Sequence, residues 1–158
     1  MRISLLLLSL AAASPAAARP LWQNVETGMN VAQLHALYPA GGNVSYGKDE
    51  VVLRNYAVTE KCSADVHIRL ASGGVESVLI KGHSALDGHC TEVVLEGLSA
   101  KYGQPLTTAP HRTSIFASPG LVYSWNRDGV TLRFTSYRPS LISSPWEIDY
   151  AVAEKVPL

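Results

Sequence analysis

Between Asp65 and Ala71 the chain alternates without a break: Val66, Ile68 and Leu70 fall on one side of an extended segment, His67 and Arg69 on the other. Successive side chains of a strand point to opposite faces, so a period of two demands a strand with one dry face and one wet face. Ser72-Gly73-Gly74 follows as a hairpin signal, and Val75–Lys81 returns as the next strand. An isolated hairpin is marginal in water and needs further strands or a covering helix. The rest of the chain has to supply them.

It supplies both. Asn30 is a good N-cap for a helix over Val31–Tyr38, with Val31, Leu34 and Leu37-Tyr38 at helical spacing and Pro39 as a stop. Residues 50–57 read as a strand rich in β-formers. Residues 88–102 read as the main helix, capped by Asp87 and ended by Gly103, with Cys90, Val94, Leu98 and Lys101 along one face. Residues 106–120 read as a long loop. Three more strands are predicted at Leu121–Asn126, Gly129–Ser136 and Pro145–Val152, with Asp128-Gly129 as a second hairpin turn.

The predicted order is helix, three strands, helix, three strands. A shift of 64 positions places Leu34, Ala36 and Tyr38 on Leu98, Ala100 and Tyr102, and Val66, Ile68, Arg69 and Leu70 on Val130, Leu132, Arg133 and Phe134. The expectation is one α+β domain over 19–158 made of two α-β-β-β repeats, about 24–82 and 87–153. Its antiparallel sheet would have about six strands, with two helices on one face and the other face open to solvent.

Residues 1–18 read as a secretory signal peptide: Arg2, an apolar run from Ile3 to Ala13, then Ala16-Ala17-Ala18. The run is shorter than the ~20 residues a membrane span needs, and no later stretch approaches that length. The expected location is periplasmic or secreted, with no transmembrane segment after cleavage. In an oxidising compartment Cys62 and Cys90 are expected to pair as a disulfide. A metal site and a free thiol are the other readings of these cysteines.

Lys plus Arg and Asp plus Glu are 13 each, so no basic footprint argues for nucleic acid. No complete catalytic constellation stands out, and no cofactor motif is present. Gly82-His83-Ser84-Ala85-Leu86 opens like a nucleophile elbow, but Leu86 replaces the closing Gly and the parallel β-α context is missing. Glu92 and Glu96 lie at helical spacing on a face read as solvated, and Asn43-Val44-Ser45 is a formal glycosylation sequon.

If the apolar strand residues face the helices, His67, Arg69, Thr131 and Arg133 face out, and Glu147 and Asp149 can join them. These six are the candidate binding residues. The expected function is non-enzymatic binding of a protein or envelope component through the open sheet face. The alternative is a small periplasmic hydrolase or metal-binding protein using His67, His83 or His89.

Residues 28–39, GMNVAQLHALYP, resemble the helix opening of small bacterial envelope domains: the SmpA/OmlA outer-membrane assembly lipoproteins and the β-lactamase-inhibitor-protein-like fold. Residues 101–105, KYGQP, are similar to the helix exit of those domains. The resemblance implies tandem helix-plus-sheet units and export by a signal peptide. The chain departs from the lipoproteins in having no lipid-accepting Cys after the apolar run and in having two units. No partner-contacting residue of the inhibitor fold maps onto this sequence one by one.

Overall fold

A computed structural model of the chain describes residues 18–82, 89–111, 120–137 and 145–153. Residues 1–17 of the expected signal peptide, His83, Ser84 and the expected cap Asp87 lie outside the described residues. The elements begin with β1 (Pro20–Trp22), β2 (Val25–Glu26), α1 (Val31–Leu37), β3 (Val44–Tyr46), β4 (Glu50–Ala57), β5 (Ser63–Ala71) and β6 (Gly74–Gly82). They continue with α2 (His89–Tyr102), β7 (Thr107–His111), β8 (Gly120–Arg127), β9 (Val130–Ser136) and β10 (Trp146–Val152). Strands β3 to β10 form one antiparallel sheet in the order β3-β4-β5-β6-β10-β9-β8-β7, while β1 and β2 pair separately.

This corrects the expected six-strand sheet. Among the described residues there are ten strands in two sheets and two helices, so the α+β fold is dominated by its sheet. The two strands added to the main sheet, β3 and β7, are its edges. Strand β3 has three residues, too few to show a period of two. Strand β7 reads Thr-Thr-Ala-Pro-His, and Thr107–Pro110 are exposed, so burial imposes no alternation there. Pro110 removes a ladder donor, which an edge strand tolerates and a central one does not. Each half is therefore one helix followed by four antiparallel strands, and the halves meet where β6 pairs with β10.

The local chemistry that sets these elements is visible. Ser72-Gly73 and Asp128-Gly129 have φ of 52° and 82°, and of 53° and 73°. Positive φ at both central residues gives the hairpin turn whose twist matches the strands it joins. At α1 the Asn30 Oδ1 accepts from the Gln33 backbone N–H (3.0 Å), and Gln33 Oε1 accepts from the Asn30 N–H (2.9 Å). This reciprocal capping box satisfies two backbone donors at the helix start. Asn30→Ala should cost about 1 kcal/mol of stability. The check is a urea melt in which the midpoint falls and the slope does not change.

The core forms on one face of the sheet. Cross-strand partners Val66–Ile80 and Ile68–Val78 in the first half continue through Ile80–Ile148 and Val78–Tyr150 to Ile148–Phe134 and Tyr150–Leu132 in the second. All of these residues are buried, and they share one cluster with Leu34 of α1 and Cys90, Val94 and Leu98 of α2. The helices thus cover the face that carries Val66 and Ile68. Trp125 and Trp146 point to the same side and are buried. Trp22 is buried too, edge-on against Tyr56 with ring centres 5.1 Å apart. A disulfide joins Cys62, just before β5, to Cys90 in the first turn of α2, with Cα atoms 5.6 Å apart.

Candidate functional site

The alternation that buries Val66 and Ile68 turns His67 and Arg69 to the opposite face, which the helices leave uncovered. The register then fixes which residues stand side by side there. One row across the sheet runs His67, Leu79, Asp149, Arg133, Ser124. The next runs Glu50, Arg69, Ser77, Ala151, Thr131, Asn126, and a third runs Asp65, Lys81, Glu147, Thr135. His67, Arg69, Thr131, Arg133, Glu147 and Asp149 therefore all lie on one face, spread over β5, β10 and β9. Three strand spacings separate β5 from β9, so Arg69 and Thr131 are about 14 Å apart across the sheet.

Their surroundings differ. His67 Nδ1 donates to Glu50 Oε1 at 3.0 Å, so that ring is oriented by a neighbour on the adjacent strand. Tyr137 Oη donates to Glu147 Oε2 at 3.4 Å. Burial, then the Glu147 charge and this hydrogen bond, push the Tyr137 hydroxyl above its ordinary pKa. Arg133 and Asp149 are direct cross-strand partners. Among the described residues neither makes an ion pair within 4.0 Å. Both line a depression of about 580 Å³ with Asn126, Thr131, Ala151 and the end of β10. A guanidinium, a carboxylate, a hydroxyl and an amide are thus presented together to solvent, able to donate and accept to a polar partner.

Among the described residues the candidate histidines His67 and His89 stand on different elements. His67 stands on the open face in β5, His89 opens α2, and His83 lies outside the described residues. Among the described residues no group of three or more His, Cys, Asp or Glu could hold a metal ion. No helix among them is long and apolar enough to cross a membrane.

No family model, curated protein or solved structure matches the chain. Function has to be read from surface chemistry alone.

A second concavity was not legible in the sequence. It lies on the helix-covered side, between β1, the end of α2 and strands β8 to β10, and has a volume of about 330 Å³. Its walls come from residues as far apart as Pro20 and Tyr150. No local pattern could have grouped them.

Proposed function

We propose that this chain is an exported, non-enzymatic domain whose open sheet face docks a protein partner. The observation that carries the reading is the pairing of Arg133 and Asp149 side by side on an uncovered face, beside a polar depression and without ion-pair partners among the described residues. A partner that offers a carboxylate to Arg133 and a cation or amide to Asp149 completes both, and Arg69 on the same face extends the contact. Arginine is favoured at the centres of protein interfaces.

The signs of charge on this face support a protein rather than a nucleic acid. Glu50, Asp65, Glu147 and Asp149 alternate with Arg69, Lys81 and Arg133 across the ladder. A phosphate backbone calls for a single sign of charge, whereas a folded protein surface offers both. Export rests on the pattern of residues 1–18 and on the disulfide, which persists in oxidising compartments such as the periplasm or the extracellular medium. The order of one helix and four strands, twice, supports the likeness to tandem envelope domains of the inhibitor type, without assigning their partner.

The test is an affinity capture from envelope extract with wild type and an Arg69→Ala/Arg133→Ala variant. Both side chains are exposed, so each substitution should change stability by no more than about 0.5 kcal/mol. The expected result is a partner retained by wild type and lost by the variant. Equal recovery by the two proteins, or no partner for either, overturns the reading.

A further inference from the structure

The cavity on the helix side has a composition unlike that of a packing defect. Well-packed interiors leave few voids larger than a water molecule, whereas about 330 Å³ falls in the range of about 300–1,000 Å³ typical of ligand pockets. Four aromatic rings line it: Trp22, Tyr102, Trp125 and Tyr150. One of them is held by its polar end. Trp125 Nε1–H donates to the Gly103 carbonyl at 2.8 Å, at the exit of α2. Tyr150 is 5% exposed, with Tyr102 as its neighbour. Burial, followed by the Tyr102 neighbour, keeps its hydroxyl protonated well beyond the ordinary tyrosine range. The wall is therefore aromatic and neutral, and Trp125 is fixed in orientation.

The mouth carries charge. Lys101 and Arg127 are on the rim and exposed, and the Lys101 ammonium sits 5.1 Å from the centre of the Tyr102 ring. Asp128 is the one carboxylate in the lining among the described residues, with Oδ2 3.6 Å from Arg127 Nε. Both partners of that pair are exposed, so it is weak and leaves Arg127 able to turn to another anion. Among the described residues, two cations against one carboxylate give the mouth net positive charge.

We propose that this cavity is a binding site for a small aromatic carboxylate, its ring against Trp22, Tyr102, Trp125 and Tyr150 and its carboxylate toward Lys101 and Arg127. Aromatic walls favour a flat apolar body through offset and edge-on ring contacts. The rim cations select an anionic head and sit where the body ends. The volume limits the ligand to about ten water molecules' worth of space. This site lies across the sheet from the docking face and does not depend on it.

The experiment uses the mature protein and two probes, 2-naphthoate and the uncharged 2-naphthamide. Binding is followed by calorimetry and by the indole N–H signals of Trp22 and Trp125 in proton–nitrogen spectra. Naphthoate is expected to bind below about 1 mM, at least roughly tenfold more tightly than naphthamide, and to shift both indole signals. In Lys101→Glu/Arg127→Glu, naphthoate affinity should fall at least about tenfold while naphthamide affinity is unchanged. Near-ultraviolet circular dichroism checks that this exposed double variant keeps the wild-type fold. Four results would each overturn the proposal: no binding up to about 1 mM, equal affinity for the two probes, equal affinity in the variant, or shifts confined to residues outside the cavity.

Discussion

Reducing the Cys62–Cys90 disulfide is expected to remove roughly 3–4 kcal/mol of stability and to lower the melting temperature by roughly 10 °C. The cross-link closes a loop of 28 positions, and the estimate comes from the chain entropy that such a loop withholds from the unfolded state. Its position makes the effect more than entropic. Cys62 is 2% and Cys90 8% exposed, and both belong to the core cluster. The bond ties the start of β5, in the first half of the chain, to the first turn of α2, in the second. Without it, α2 is held by Val94 and Leu98 from within the helix, and its first turn is the segment expected to open. Reduction leaves both sulfur atoms in the core, so it isolates the cross-link. Cys62→Ala/Cys90→Ala also removes buried atoms and should cost more. Urea melts of the oxidised, reduced and double-alanine proteins give the three values. Coincident midpoints for oxidised and reduced protein would show that the bond adds no stability.

What the sequence conveys follows from where burial writes a pattern. Strand β5 is half-buried along its length, so Val66-His67-Ile68-Arg69 states both its structure and its two faces. The turns at Ser72-Gly73 and Asp128-Gly129 were legible because few residues besides Gly, Asn and Asp enter positive φ easily. Strand β4 was readable over its whole observed range, Glu50–Ala57, and α2 to within a residue at its start. Edge strands β3 and β7 were not: β3 has only three residues, too few for a period, and β7 is exposed from Thr107 to Pro110, so burial leaves no periodicity in it. The β1–β2 hairpin was missed for a related reason: Leu21, Trp22 and Val25 are buried, but strands of three and two residues are shorter than any pattern.

The candidate sites show the same division. Alternation alone assigns His67 and Arg69 to the wet face of β5. It cannot say that β10 inserts between β6 and β9, and that insertion is what sets Asp149 opposite Arg133. Strand order depends on how the two halves join at β6 and β10, a contact between residues some 65–75 positions apart. The aromatic cavity is one step further removed, since it needs the N-terminal strand, a helix end and three sheet strands in place together.

The second large effect is expected where the halves join, at Trp146. Its indole is 1% exposed, and its ring centre lies 6.3 Å from that of Phe134. A Cβ placed on Gly82 would overlap the Trp146 indole. Gly82 therefore serves this fold by having no side chain: it makes room for the largest buried residue across the β6–β10 seam. Trp146→Ala should cost about 3–5 kcal/mol, the usual range for emptying a buried aromatic site. Gly82→Ala should cost about 1–3 kcal/mol, because either the ring or the strand backbone must move. The double variant should be more stable than the sum of these costs implies, by about 1 kcal/mol or more, since the new methyl occupies space the indole has left. Trp146→Phe should be milder than Trp146→Ala for two reasons. It keeps most of the ring, and it deletes an Nε1–H that has no hydrogen-bond partner among the described residues. Strict additivity of Gly82→Ala and Trp146→Ala would disprove the contact. The same seam carries the open face, because Trp146 precedes Glu147 and Asp149 on β10. A Gly82→Ala protein that shifts β10 to relieve its clash moves Asp149 relative to Arg133. If the proposed docking face holds a partner, Gly82→Ala should therefore weaken its capture although it alters no residue of that face.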